Sequence, residues 1–398
     1  MTLQDIVTAR HALRDVIHKT DLVPSRVLSD ESRQVFLKSE SLQQTGSFKA
    51  RGAYVRLAAL TEAERARGII AASAGNHAQG VALAAAKFGV PATIVMPEGA
   101  PLAKVSATRA LRARVVLQGA GYDDAYKHAL ALQQETGAVF IHPFDDPLVI
   151  AGQGSVGLEI LEDLPDVDVI VAPVGGGGLI AGVAVAAKAL RPQVRVVGVE
   201  AAGAASMGAS LLAGRVVTLA RASTIADGIA VRTPGQQPFA ICRELVDEMV
   251  TVDDDEIAQA ILLLMERCKI VTEGAGAAAV AAILGNKFHC AGKVVAVLSG
   301  GNIDVTMLAN IIDKGLLKAG RRIRLRTVVE DKPGRLNRLL QIVSDCEANV
   351  VSIQHDRAHP DAGIGYAMME LMLETQDSDH VARVLQAAQA QGFRLLES

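Results

Sequence analysis

Little in this 398-residue chain is extreme, and each thing it lacks removes a class of protein. Only four cysteines occur, Cys242, Cys268, Cys290 and Cys346. They are scattered, with no C-x-x-C pair and no metal-ligand spacing. Neither a disulfide framework nor a zinc site is expected, and reduced thiols in a cytoplasmic protein are the simplest reading. Long apolar runs are equally scarce. The longest uncharged stretch, Val169 to Ala187, has the length to cross a bilayer, but Pro173 and four successive glycines break it, so it reads as a buried strand, a turn and a helix. The first twenty residues carry Asp5, Arg10, Arg14, Asp15 and Lys19 without an apolar core, so no signal peptide is expected. A net charge of −3 points to neither a nucleic-acid partner nor a disordered tail. Proline and glycine are too sparse for low complexity.

What is present is apolar: hydrophobic residues make up 50% of the chain, and its length calls for two or three domains. Short β-branched runs alternate with Ala-rich helical patterns. Gly68–Ser73, Pro91–Met96, Arg114–Gln118, Val167–Ala172, Arg195–Glu200 and Lys293–Ser299 are continuously rather than alternately hydrophobic, as in a parallel sheet covered on both faces. Helices such as Gly80–Phe88 and Leu179–Leu190 lie between them, which makes the fold α/β. Near residue 320 the character changes. Arg322, Arg324 and Arg326 alternate with Ile323, Leu325 and Thr327, a half-exposed strand rather than a nucleic-acid patch. Asp331-Lys-Pro-Gly makes a turn, and Leu336, Leu339, Leu340 and Val343 keep helical spacing. Strand-like Val350–Gln354 and Tyr366–Glu374, a helix marked by Val381, Val384, Leu385 and Ala388, and a last strand Phe393–Leu396 complete a ferredoxin-like βαββαβ unit.

The strongest local signal is Val169-Ile-Val-Ala-Pro-Val-Gly-Gly-Gly-Gly-Leu-Ile-Ala-Gly. A strand ends, four glycines follow, and a helix starts. Successive glycine N–H groups and a helix N-terminus form a phosphate cradle. Which phosphate it holds stays open on this run alone, because Gly176-x-Gly178-x-x-Ala181 with Glu200 at the end of the next strand also fits a loose dinucleotide fingerprint. Ala72-Ser-Ala-Gly-Asn-His-Ala-Gln-Gly offers hydroxyl, amide and N–H groups at another helix start, suited to a carboxylate. Leu298-Ser-Gly-Gly-Asn follows a third strand, and all three loops are at the C-terminal ends of strands, where open α/β sheets place ligands. To these is added Lys49, in Thr-Gly-Ser-Phe-Lys. Phosphate donors, a carboxylate pocket and one such lysine suit pyridoxal 5′-phosphate held as a Schiff base, although spacing alone equally allows a surface lysine on a first helical turn.

Thr45-Gly-Ser-Phe-Lys-Ala-Arg-Gly-Ala, Ser73-Ala-Gly-Asn-His-Ala-Gln-Gly, Val174-Gly-Gly-Gly-Gly-Leu, Ala226-Asp-Gly-Ile-Ala-Val and Leu298-Ser-Gly-Gly-Asn together resemble the threonine dehydratases (threonine ammonia-lyases), two-lobed fold-type II pyridoxal phosphate enzymes similar to tryptophan synthase β. The tail resembles an ACT domain. The resemblance implies a catalytic domain over residues 1–318, with a smaller lobe at roughly 52–154 inserted in the larger, and an ACT regulatory domain over 322–398. It implies β-elimination and deamination of L-threonine to 2-oxobutanoate and ammonia, with L-serine to pyruvate as a secondary activity. A serine racemase or hydroxyaspartate dehydratase on the same scaffold is the alternative. A nicotinamide-dependent dehydrogenase and a catalytically dead amino-acid sensor stand further off.

By the same resemblance Lys49 is the Schiff-base lysine and removes the α-proton. Phe48 lies beside the ring, Asn76 bonds its hydroxyl, Gly175, Gly176, Gly177, Gly178 and Leu179 hold the phosphate, Ser299 faces the pyridine nitrogen, and Gly228 approaches the cofactor. Ser73, Ala74, Gly75, Asn76 and His77 shape the pocket for the substrate carboxylate. Ala74 stands where the racemase has a serine, which implies little racemisation. Glu200, the Ala204 carbonyl and Ser206 are a candidate cation set, and Ser206 in place of a relative's Asp favours a monovalent ion or none. The tail implies an effector, isoleucine, valine or AMP, bound near Gly334, a place in isoleucine biosynthesis, and a homodimer or homotetramer. No nucleic acid or membrane partner is expected.

Overall fold

The computed structural model describes residues 1–396, so Glu397 and Ser398, the end of the expected second domain, lie outside the described residues. The continuously apolar runs form two parallel sheets. The larger has six strands in the order Leu22–Ser25, Arg33–Lys38, Gly292–Val297, Val169–Pro173, Arg195–Ala201 and Glu248–Val252. Leu22–Ser25 is antiparallel to its neighbour, and every other pairing is parallel. The smaller sheet runs Arg114–Leu117, Ala92–Met96, Ile69–Ala72 and Val139–Phe140, all parallel. Helices cover these sheets, and two are apolar nearly all round: Gly178–Leu190 and Gly274–Leu284 bury most of their length. Small residues let them approach. The helix Pro147–Asp163 lies so close to Gly178–Leu190 that a Cβ on Gly182 would sit 2.4 Å from the Ile150 carbonyl oxygen.

One charged cluster is part of this core. Arg51, on the helix Lys49–Ala58, donates to both oxygens of Glu40 (2.7 and 2.8 Å), to both of Glu159 (2.7 and 2.9 Å) and to Ser155 Oγ (2.9 Å). Lys38 Nζ donates to Glu159 and to the Thr20 carbonyl, each at 2.6 Å. Arg51, Lys38 and Glu40 are wholly buried and Glu159 nearly so. The four charges cancel in a place where a lone charge would be costly. They tie the helix that begins at Lys49 to the strand Arg33–Lys38 and to the helix Pro147–Asp163.

By internal contacts the chain divides into two compact units, Met1–Asp304 and Val305 onward. The helix Val305–Lys318 therefore belongs with the second unit, whereas the sequence reading carries the first domain to residue 318. Its Asp313 pairs with Arg322 at 2.6 Å, at the start of the following strand. The second unit continues with strand Arg322–Glu330, helix Arg335–Asp345, strands Asn349–Asp356 and Tyr366–Glu374, helix Ser378–Ala390 and strand Arg394–Leu396. This βαββαβ order gives an antiparallel sheet with Arg322–Glu330 between Tyr366–Glu374 and Arg394–Leu396. Leu325, Thr327 and Val329 turn inward, while Arg324 and Arg326 reach Glu370 on the neighbouring strand at 3.3 and 3.4 Å. No helix among the described residues is long and apolar enough to cross a membrane, and the four cysteines are free.

Candidate active site

A cavity of about 740 Å³ opens in the first unit, walled by the loops that leave the strands of both its sheets. Phe48, Lys49, Ser73, Ala74, Gly75, Asn76, His77, Gly175, Gly176, Gly177, Gly178, Leu179, Gly228 and Ser299 all line it. Segments as far apart in sequence as Phe48 and Ser299 thus meet, because parallel strands deliver their C-terminal ends to one side.

Lys49 opens its helix. Its Nζ donates to the Pro143 carbonyl at 2.8 Å and lies 5.1 Å from the centre of the Phe48 ring. The residue is only partly open to the cavity, and burial of its amine lowers the pKa to about 8, against the opposing pull of Glu273. Phe48 N–H donates to the Ser299 carbonyl at 3.1 Å, so the lysine loop and the Ser299 loop are stitched together.

The glycine run ends the strand Val169–Pro173 and starts the helix Gly178–Leu190. N–H groups in a first helical turn have no intrahelical acceptor. Gly177 has φ +91°, and a Cβ on Gly176 would lie 2.3 Å from the Phe144 ring. Side chains are therefore excluded where the backbone faces the cavity. Asn76 starts the helix Asn76–Phe88, and its Nδ2 donates to Glu273 Oε1 at 2.5 Å. Ser299 is buried, a neutral hydroxyl.

His77 lines the cavity while its ring nitrogen bonds outside the loop. Its ring is buried with Nε2 2.9 Å from the Ile141 carbonyl, and burial pushes its pKa down to about 3. Only the backbone at this position is free to serve an anion, because the ring is drawn to the end of the neighbouring strand. Glu200 does not line this cavity. Its two oxygens accept from Met207 N–H (2.7 Å) and Gly208 N–H (2.8 Å), capping the helix Ser206–Ala213. Burial raises its pKa to about 7. Ala204 and Ser206 are buried beside it, with Ser206 Oγ unpartnered, and no cluster of three or more His, Cys, Asp or Glu suited to a metal occurs among the described residues. Gly334 is in the second unit, exposed, with φ +89° at a helix start.

Sequence reasoning missed Glu273. This buried residue precedes the helix Gly274–Leu284 and lines the cavity. Burial and the nearby Asp227 push its pKa up to about 7, opposed by Asn76, Lys104 and Lys49. Phe144, which closes over the glycine turn, and Pro143, which takes the Lys49 hydrogen bond, were also unmarked. At the mouth, ion pairs Lys104–Asp227 and Arg232–Asp123 (2.6 Å for the latter) join opposite walls.

Residues 13–300 match the family described as pyridoxal-phosphate dependent enzyme. The chain is 54% identical over 397 residues to an L-threonine ammonia-lyase of Thermotoga maritima, covering 99% of each chain. Among solved structures it is similar to the processed form of threonine deaminase isoform 2 from Solanum lycopersicum (42% identity, TM-score 0.74, 78% of this chain and 92% of that one). It is also similar to maize serine racemase (36% identity, TM-score 0.75, 79% and 98%).

Proposed function

The chain belongs to the family of pyridoxal-phosphate dependent enzymes, and on that premise we propose that it is an L-threonine ammonia-lyase of the fold-type II architecture. It converts L-threonine to 2-oxobutanoate and ammonia, and L-serine more slowly to pyruvate and ammonia. One observation carries the reading: a lysine amine of lowered pKa, a glycine turn at a helix start, the Asn76 amide and the Ser299 hydroxyl all open into one cavity.

These residues fit the cofactor. Gly175 to Gly178 and Leu179 offer N–H groups to its phosphate at the positive end of a helix. Lys49 offers the amine for its aldehyde, Phe48 a flat apolar neighbour for its ring, with Gly228 on the cavity wall beside it. When bound, pyridoxal phosphate supplies an aldehyde that captures an amine and a ring that draws electrons from the α-carbon.

The chain's own residues do the rest. The Ser73–His77 loop binds the substrate carboxylate through the start of the helix Asn76–Phe88, His77 contributing its backbone N–H. Lys49, once free, takes the α-proton. A neutral amine is the competent base, and a pKa of about 8 leaves a useful fraction neutral near pH 7. Ser299 is neutral and holds no proton on the ring nitrogen as a carboxylate would, which favours prompt loss of the β-hydroxyl over side reactions. Ala74 offers no proton donor on the far side of the α-carbon, which disfavours the racemase alternative.

The second unit is an ACT-like regulatory unit, with isoleucine, valine or AMP as effector near Gly334, in a homodimer or homotetramer. Glu200, Ala204 and Ser206 are the candidate monovalent-cation set. The protein as purified, loaded with pyridoxal phosphate, should absorb near roughly 410 nm and lose that band on borohydride reduction. Lys49→Ala should abolish both band and turnover. A colourless parent, or faster turnover of hydroxyaspartate than of threonine, would overturn the assignment.

A further inference from the structure

Two side chains of the cavity wall, Asn76 and Glu273, and a third behind it, Asn302, form a chain of hydrogen bonds with a fixed direction. Asn302 uses both hydrogens of Nδ2, one on the Thr45 carbonyl and one on Asn76 Oδ1, each at 2.7 Å. Asn76 Nδ2 gives one hydrogen to Glu273 Oε1 at 2.5 Å. Reversing the Asn76 amide would set two NH2 groups face to face at one end and two oxygens at the other, so only one orientation is allowed. In that orientation one Asn76 hydrogen is left over.

The surroundings hold this arrangement rigid. Thr45 has φ 64°, a conformation that a β-branched residue rarely takes, and its carbonyl is the one Asn302 caps. Gly301 N–H donates to the Gly46 carbonyl at 2.9 Å, and Glu273 N–H to the Gly300 carbonyl at 3.1 Å. A Cβ on Gly300 would lie 2.3 Å from Glu273 Oε1 and 3.0 Å from Asn76 Nδ2. The loop carrying Ser299 therefore presses directly on the pair.

We infer that Glu273 and Asn302 are positioning residues that act through Asn76, committing its remaining N–H to the cofactor ring as a donor and barring its carbonyl from that place. This rests on the pyridoxal phosphate reading above and extends it to two residues that need not touch the cofactor. A fixed donor keeps the ring oxygen in its anionic form. With either partner removed, reversing the amide mismatches one contact instead of two, so its oxygen reaches the ring part of the time, which favours the protonated ring oxygen. The charged groups that act on Glu273 are Asp227, Lys104 and Lys49, so the pair is also placed to feel the lysine's charge.

The test uses the full-length protein stripped of cofactor and reloaded with pyridoxal phosphate, read by absorbance spectrum and by dissociation constant. Glu273→Ala and Asn302→Ala should each weaken binding about tenfold, the value of one hydrogen bond, and shift absorbance from roughly 410 nm towards roughly 330 nm. Glu273→Gln keeps an oxygen for Asn76 and should keep the parent spectrum with affinity within about threefold. If both alanine variants match the parent, or if Glu273→Gln is as impaired as Glu273→Ala, the inference falls. Should Glu273→Ala fail to fold, Asn302→Ala decides alone. A parent that binds no pyridoxal phosphate would instead defeat the proposed function, so the two failures are distinct.

Discussion

Replacing Arg51 by methionine keeps much of the side chain's apolar bulk and removes its charge. The cluster of Arg51, Lys38, Glu40 and Glu159 then holds one cation against two carboxylates in a fully buried place. Breaking a buried ion network this way costs about 3–5 kcal/mol. Unfolding entropy near 2.1 cal/mol/K per residue amounts to about 0.6 kcal/mol/K for a unit the size of Met1–Asp304, so the melting temperature should fall by roughly 5–8 °C. The double variant Arg51→Met with Glu159→Gln restores neutrality, one cation against one anion, and should recover part of that loss. The pH dependence follows from Glu159. Burial alone would push its carboxyl up, but Arg51 and Lys38 outweigh burial and hold it below its ordinary value. A depressed carboxyl stabilises the fold above its unfolded pKa and loses that contribution as pH falls. The gap between parent and Arg51→Met should therefore narrow below roughly pH 4. Thermal melts followed by circular dichroism from pH 3.5 to 8 measure all of this. A single variant within 2 °C of the parent, as a threshold well below the ~5 °C expected, or a double variant less stable than the single, would refute the charge-balance argument.

Capture of pyridoxal phosphate by the stripped protein should quicken as pH rises to about 8 and level off above it, since only neutral Lys49 attacks an aldehyde; a stopped-flow rate that keeps climbing well above that pH would count against the lowered pKa. Gly176→Ala places a methyl against the Phe144 ring and should weaken cofactor binding by roughly 10- to 100-fold, the equivalent of about 1–3 kcal/mol of overpacking, in an equilibrium titration. Chiral chromatography of the serine reaction should show D-serine formed far more slowly than pyruvate, and Ala74→Ser should raise its share; comparable rates in the parent would contradict the role given to Ala74.

Six of the ten strands of the two parallel sheets were legible as short apolar runs such as Val294–Val297, whereas Leu22–Ser25, Arg33–Lys38, Val139–Phe140 and Glu248–Val252 are too short or too polar to stand out. The three loops were legible because glycine runs at strand ends have few other uses. Glu273 was not. Thr-Glu-Gly-Ala reads as the polar start of an Ala-rich helix, and its burial depends on Asn76, which only folding brings near. The Arg51 cluster was hidden for the same reason: Lys38, Glu40, Arg51 and Glu159 are ordinary charges until three elements converge. The place of the His77 ring was not legible either. Its neighbours in sequence serve the cavity, but the imidazole meets Ile141, and nothing local specifies that. The helix Val305–Lys318 reads as the end of the first domain because the resemblance runs to about residue 318 and the sequence changes character only near 320.

The larger sheet seats Arg33–Lys38 directly against Gly292–Val297. A ribosome releases the first of these strands about 250 residues before the second, and at ~5–20 residues per second the wait is roughly 10–50 s. Throughout that interval the inner edge of the early strand has no companion strand. The nascent polypeptide therefore emerges with an unprotected strand edge that cannot be closed until nearly the whole first unit has been translated. The sheet at the centre of the first unit is thus completed near the end of that unit's translation, not as its early strand appears.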